Sequence, residues 1–121
     1  MDRQEVGKLG EQLAQRFLKR HGYRVRERNF HCREGEIDIV AQQRDCLVFV
    51  EVRTKTSLQF GTPEESITAA KRARMRRTAR RYLQTHGKLP ESWRIDFVAV
   101  ELNGKGKADR IEIIESAVGE E

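Results

Sequence analysis

Two carboxylates stand where apolar residues would be expected. Asp38 lies in the run Glu-Gly-Glu-Ile-Asp-Ile-Val-Ala (34–41) and Glu51 in Leu-Val-Phe-Val-Glu-Val-Arg (47–53). A carboxylate inside such a run is costly unless an Arg or Lys partner, a proton or a metal ion neutralises it. Two carboxylates converging from neighbouring strands suit a hard divalent cation with oxygen ligands, Mg²⁺ or Mn²⁺. Such an ion lowers the pKa of a bound water, orients it and neutralises charge on a scissile phosphate. The structural alternative has Glu51 paired with Arg53 or Arg26 and Asp38 capping the end of the sheet. Spacing alone does not separate the two.

Cations that could complete such a site lie nearby. Arg53 is two residues beyond Glu51, hence on the same strand face, and Lys55 follows two further on. A guanidinium can hold a phosphate or offset developing charge, but it cannot act as a base. The segment from Lys71 to Arg81 carries Lys71, Arg72, Arg74, Arg76, Arg77, Arg80 and Arg81. On a helix these cannot all face one way, so most belong to a solvated surface, suited to contacts with a phosphate backbone. Lys71 differs. It falls within the apolar stripe of Ile67, Met75, Ala79 and Tyr82, so it either snorkels to an edge or reaches the acidic cluster. Glu11 edges the apolar arc of the first helical segment and joins the carboxylates if that helix packs on their face.

The elements that must position these residues can be read from periodicity. Val6, Leu9, Gly10, Leu13, Ala14 and Phe17 follow the helical period, predicting a helix over 5–21 closed by Gly22. Gly7 and Gly10 weaken it and suggest close approach of a neighbouring backbone. Residues 23–30, 36–42 and 46–55 read as three strands of an antiparallel meander. Ile37, Ile39 and Ala41 are expected on one face of the second strand. Leu47, Phe49, Glu51 and Arg53 share a face of the third, which is central because it begins apolar on both faces. Thr62-Pro63-Glu64-Glu65 carries a capping box with Pro at the first helical position, predicting a second helix from there to about Thr85. Residues 93–102 read as a fourth strand, Asn103 to Gly106 as a turn and 110–114 as a short last strand. The tail from Gly119 to Glu121 is expected to fray. The helix between the third and fourth strands would let those two pair in parallel. The expected architecture is α/β: a mixed sheet flanked by helices.

Bulk composition sets bounds. The 121 residues fit one domain, with a core over about 5–102 and a short strand and tail over 103–121. The chain is 37% hydrophobic and 36% charged, with 24 Lys and Arg against 19 Asp and Glu, a net +5 that suits a polyanionic partner. Cys32 and Cys46 form no zinc-type spacing and read as unbridged thiols of a reducing compartment. Neither an apolar signal core nor a membrane-length run is present, so a cytoplasmic location is expected, with no membrane association. His21, His31 and His86 lack ligand spacing, and there is no P-loop, GxGxxG or Ser-His-Asp pattern. Phe49, Trp93 and Phe97 fall at strand positions and read as core rather than base-stacking platforms. Residues 54–61 form a gap beside the site.

Taken together, Gly10-Glu11, Gly35-Glu36-Ile37-Asp38-Ile39-Val40-Ala41, Phe49-Val50-Glu51-Val52-Arg53, Phe60-Gly61, Lys71 and Arg94-Ile95-Asp96-Phe97-Val98-Ala99-Val100 resemble the YraN family of small bacterial proteins. The resemblance spans roughly Val6 to Leu102. That family is similar to the restriction-endonuclease-like, or PD-(D/E)xK, nucleases, which include archaeal Holliday-junction resolvases. The resemblance implies a core of helix, three-stranded meander, helix and strand. It also implies Asp38 and Glu51 as metal-binding catalytic carboxylates, Glu11 as an additional acidic residue, Arg53 at the position of the signature lysine, and Lys71 as a second-helix residue facing the site. Arg53 is a departure from many active members of the wider superfamily, because arginine keeps the charge but not a proton-transfer role.

The expected activity is Mg²⁺- or Mn²⁺-dependent hydrolysis of DNA phosphodiester bonds, at branched or damaged structures. Nucleic acid, DNA before RNA, is the expected partner, contacted through Lys55, Lys71, Arg72, Arg74, Arg76 and Arg77. Junction-cleaving relatives tend to be dimers, so a homodimer is also admitted. The alternatives are a non-catalytic nucleic-acid-binding module of the same fold and a protein-interaction module.

Overall fold

The computed structural model describes residues 1–118, with side-chain environments through Glu115. The chain forms α1 (Arg3–Arg20), β1 (Arg24–Cys32), β2 (Gly35–Gln43), β3 (Cys46–Lys55), a 3-10 turn (Glu64–Ser66), α2 (Ala69–Thr85), β4 (Ser92–Leu102) and β5 (Ala108–Val118). The five strands make one sheet in the order β1-β2-β3-β4-β5. All neighbours are antiparallel except β3 and β4, which run parallel because α2 carries the chain back between them. This is the restriction-endonuclease-like arrangement that the sequence implied.

Each face of the sheet is covered by one helix. On the α1 side, Ala14 and Leu18 pack with Ile39, Val48, Val50, Val98 and Val100. On the α2 side, Met75, Ala79 and Tyr82 pack with Val40, Leu47, Phe49, Ile95 and Phe97. Strand β3 is sandwiched between both layers and is buried from Leu47 to Val52. That explains its apolar start, since a strand covered on both sides has no solvent face. Its bounds match the expectation. Helix α1 opens on a capping box, with Asp2 accepting from the Glu5 amide and Glu5 accepting from the Asp2 amide. No helix among the described residues is long and apolar enough to cross a membrane.

Gly10 meets the requirement for close approach: a Cβ there would fall inside the Thr54 side chain of β3. Gly7 does not, since nothing lies within 4 Å of its would-be Cβ.

Three expectations need correction. The capping box at Thr62 is formed, with Glu65 Oε1 accepting from the Thr62 amide at 2.7 Å, but it starts only the 3-10 turn. Ile67 then turns extended (φ −92°, ψ 113°) to bury its side chain, and Thr68 caps α2 afresh by accepting from the Lys71 amide. The last strand is not short: β5 spans 11 residues and pairs with β4 from Ile95 to Leu102. Finally, Ile37 does not share a face with Ile39 and Ala41 but packs on the α2 side with Val40. The β2–β3 ladder ends at Ile39–Val50. On the other side, Asn29, between the pairs Arg28–Ile39 and Phe30–Ile37, adopts φ 54°. A left-handed residue breaks the strict alternation of a ladder, and asparagine tolerates it better than most. The kink falls at Asp38. The tail 119–121 lies outside the described residues.

Candidate active site

The divergence of β2 from β3 opens a wedge, and Asp38 fills its apex. With no β3 carbonyl or amide opposite, its Oδ2 instead accepts from the Val52 amide at 2.8 Å. Glu51, one residue earlier on β3, is 4% exposed and projects toward the α2 side. The two carboxyls line a common cavity of about 710 Å³. Burial, then the Glu51 charge, then Glu11 push the Asp38 carboxyl well above the ordinary carboxylate range; the Val52 amide only partly opposes this. Like charges brought together out of water leave one of them holding a proton.

Cations crowd the Glu51 end. Lys71 Nζ lies 2.9 Å from Glu51 Oε2, and Arg53 Nε lies 3.4 Å from the same oxygen. The restart of α2 at Ala69 is what puts Lys71 there. It sits in the first helical turn, where a cation is disfavoured by the helix dipole, and Glu51 supplies the compensating charge. Arg53 Nε makes no hydrogen bond, the one buried side-chain nitrogen or oxygen so placed among the described residues. An enclosed guanidinium nitrogen with only a misaligned carboxylate nearby is poorly satisfied by protein alone.

Glu11 comes from α1, whose close seat on β3 depends on Gly10 and Thr54. It lines the same cavity, and its carboxyl is raised by partial burial first, then by the charges of Glu51 and Glu36. The structure thus brings Asp38, Glu51, Glu11, Arg53, Lys55 and Lys71 around one cavity. It does not draw Glu11 into a tight trio with the other two: among the described residues, no group of three or more His, Cys, Asp or Glu stands close enough to hold a metal ion. Arg72, Arg74 and Arg77 are exposed and Arg76 half-buried along α2, none in an ion pair among the described residues; Arg74 flanks Lys71 and Glu36 in a neighbouring groove. Arg26 does not pair with Glu51 but donates to Gln42 Oε1 at 2.8 Å.

Residues 10–100 match the model of the uncharacterised protein family UPF0102. The chain belongs to UPF0102, the YraN family. It is 46% identical over 117 residues to a UPF0102 protein of Moorella thermoacetica, covering 97% of this chain and 98% of that one. A relative from Dehalococcoides mccartyi is 45% identical over 120 residues, covering 99% and 98% respectively. One from Myxococcus xanthus is 40% identical over 116 residues, covering 96% and 90%. The family match begins at Gly10, the residue that seats α1 on β3, and takes in every element that lines the cavity except the start of α1.

Two features of the molecule escaped the sequence reading. Glu36, which its spacing puts on the same strand face as Asp38 but which was given no role at the site, also lines the cavity. Asp96 is a third carboxylate in an apolar strand, fully buried, and binds Tyr23 and Arg94. It carries the same signature as Asp38 and Glu51, a charge within Ile95-Asp96-Phe97-Val98.

Proposed function

We propose that this UPF0102 protein is a metal-dependent endonuclease that hydrolyses DNA phosphodiester bonds, with branched or damaged DNA as its substrate. The observation that carries the reading is the Asp38–Glu51 pair. Two carboxyls are held together at a break in the sheet, at an electrostatic cost that the hydrogen bond from the Val52 amide to Asp38 only partly offsets. Their donor set, hard oxygens with a cation already drawn to Glu51, fits a Mg²⁺ or Mn²⁺ ion. Asp38 and Glu51 would hold the ion, and Glu11 and Glu36 line the same cavity. When bound, it supplies a water of lowered pKa and offsets phosphate charge. Lys71, now 2.9 Å from Glu51, would offer its ammonium to a phosphate oxygen once a cation took over the Glu51 charge. Arg53 stabilises charge but moves no proton. Lys55 and the exposed arginines of α2 extend the cationic surface along the nucleic-acid backbone.

A second reading, a nucleic-acid-binding module without cleavage, is favoured by one observation: both Lys71 and Arg53 engage Glu51. One experiment separates the two. Labelled linear, flapped and four-way-junction DNAs are incubated with Mg²⁺, Mn²⁺ or EDTA, wild type beside Asp38→Asn and Glu51→Gln. Metal-dependent products from the wild type that fall below detection in both variants are expected. Products that persist in both variants sink the nuclease reading; salt-sensitive binding with no products under any metal favours the module.

A further inference from the structure

One large aromatic side chain is held out in solvent at the rim of the candidate site. Phe60 is 86% exposed, the most exposed large hydrophobic residue described, and it lines the same cavity as Asp38 and Glu51. Its exposure is built by the backbone. The Gly61 amide donates to the Leu58 carbonyl, the Gln59 amide to Ser57 Oγ, and Gly61 takes a left-handed φ of 101°. The Thr62–Glu65 capping box then anchors the far end of the loop. The turn that begins at Leu58 therefore carries Phe60 at its third position, away from both hydrophobic clusters. An exposed phenylalanine forgoes the stabilisation of burial, and this one stands at the rim of the cavity that holds Asp38 and Glu51.

The surroundings indicate which ligand. Arg3, Arg53, Lys55 and Lys71 line the cavity beside Phe60. Cations next to a bare aromatic face match a nucleotide: phosphate for the cations, a base for the ring. A base still paired and stacked within a duplex cannot offer its face to a protein ring, whereas an unpaired one can. We infer that Phe60 stacks on an unpaired nucleobase next to a phosphate held by Lys71 and Arg53 beside Asp38 and Glu51, so that the protein selects DNA with an unstacked nucleotide at that point. This inference rests on the nuclease reading for the phosphate but stands on Phe60 for the base.

The test measures binding in EDTA and cleavage in Mg²⁺ separately. Fluorescence anisotropy compares wild type, Phe60→Ala and Phe60→Trp on a fully paired duplex, the same duplex with one bulged nucleotide, and a single strand. Phe60→Ala should weaken binding to the bulged and single-stranded DNAs about ten-fold, the loss of one base stack. It should leave the paired duplex within about two-fold and the salt slope unchanged, because no phosphate contact is lost. Phe60→Trp should restore binding, and its emission should be quenched by the bulged DNA; the chain has 1 other tryptophan, Trp93, packed on the α2-side core, as the background. Equal affinity of Phe60→Ala and wild type for all three DNAs overturns the inference. So does an equal loss on all three, or a shift of Phe60→Ala from dimer to monomer in sedimentation with binding unchanged, which would make Phe60 a contact between copies. Phe60-dependent binding without cleavage by the wild type leaves this inference standing and removes the nuclease reading. Cleavage indifferent to Phe60 does the reverse.

Discussion

Asp96 and Glu51 stand one rung apart in the sheet, since Val50 pairs with Asp96 and Glu51 with Phe97. Both are buried carboxylates within apolar strands, and they have opposite fates. Asp96, on the α1 side, accepts from Tyr23 Oη at 3.0 Å and from Arg94 Nε at 3.0 Å, while Arg94 also donates to Tyr23 and to Gln43. Every group in that cluster has a complementary neighbour. Glu51 meets another carboxyl, a lysine in a helix first turn and an arginine nitrogen without a hydrogen bond. A satisfied polar network holds a fold in one arrangement, whereas a frustrated one stores the means to bind something else. The difference lies in partners, not burial.

The comparison breaks if the two sites respond alike to loss of charge, and the largest effect is expected at Asp96. Asp96→Ala leaves the Arg94 guanidinium and the Tyr23 hydroxyl without their acceptor. Removing one partner of a buried ion pair costs about 3–5 kcal/mol, so urea titration should show a large fall in unfolding free energy and any loss of activity should follow from unfolding. Asp38→Asn should instead leave stability unchanged or higher, because asparagine still accepts from the Val52 amide and the like-charge contact is gone. A destabilised Asp38→Asn would show that the pair is structural after all.

An intermediate effect should come from the seat of α1. Gly10→Ala drives a methyl into Thr54, and overpacking of this kind costs about 1–3 kcal/mol. Because Gly10 precedes Glu11, the displaced helix should also carry Glu11 away from the cavity. Paired Gly10→Ala and Thr54→Ala would sharpen the point: removing the Thr54 side chain should recover much of the lost stability, by thermal melt, and a double variant no better than the single would refute the contact.

How much of this was legible in the sequence follows from which signals are local. Asp38 and Glu51 announced themselves as charges within apolar runs, and β3 could be bounded from Cys46 to Lys55 because burial on both faces leaves an uninterrupted pattern. The start of α2 was not legible, because a capping box reports only the turn it closes. What ended that turn was burial of Ile67 against the α2-side core, a tertiary demand. The full length of β5 was hidden for a related reason: its extent is set by the neighbouring edge of β4, not by its own apolar–polar pattern, which is interrupted because Ile113 and Ile114 are both apolar, each facing the cluster on its own side of the sheet. Asp96 had the same local signature as Glu51, but its meaning depended on Tyr23 and Arg94, and the ring lies far away along the chain. Local pattern marks all three buried charges alike; only the fold distinguishes the satisfied one from the frustrated pair.

The smallest expected effect is the most direct reading of that frustration. The Asp38 carboxyl is raised in the folded protein from its ordinary 3.8, by burial first and then by Glu51 and Glu11. Lys71 and Arg53 face the pair from the Glu51 side and Glu36 lines the same cavity. Above 3.8 the unfolded chain has released this proton while the folded chain still holds it, so the folded state binds more protons. Stability from this group must therefore fall as pH rises from that value up to the raised folded pKa, the reverse of an ordinary ion-paired aspartate. The loss should be on the order of 1 kcal/mol or more, since a tenfold change in proton affinity is worth about 1.4 kcal/mol. Thermal melts of the metal-free protein across this range should show the decline, and Asp38→Asn should flatten it. Added Mg²⁺ should also flatten it at the alkaline end, because a cation replaces the proton that the pair was holding. A wild type and Asp38→Asn with parallel pH profiles would mean that the two carboxyls are as well accommodated as Asp96, and the contrast between the two sites would disappear.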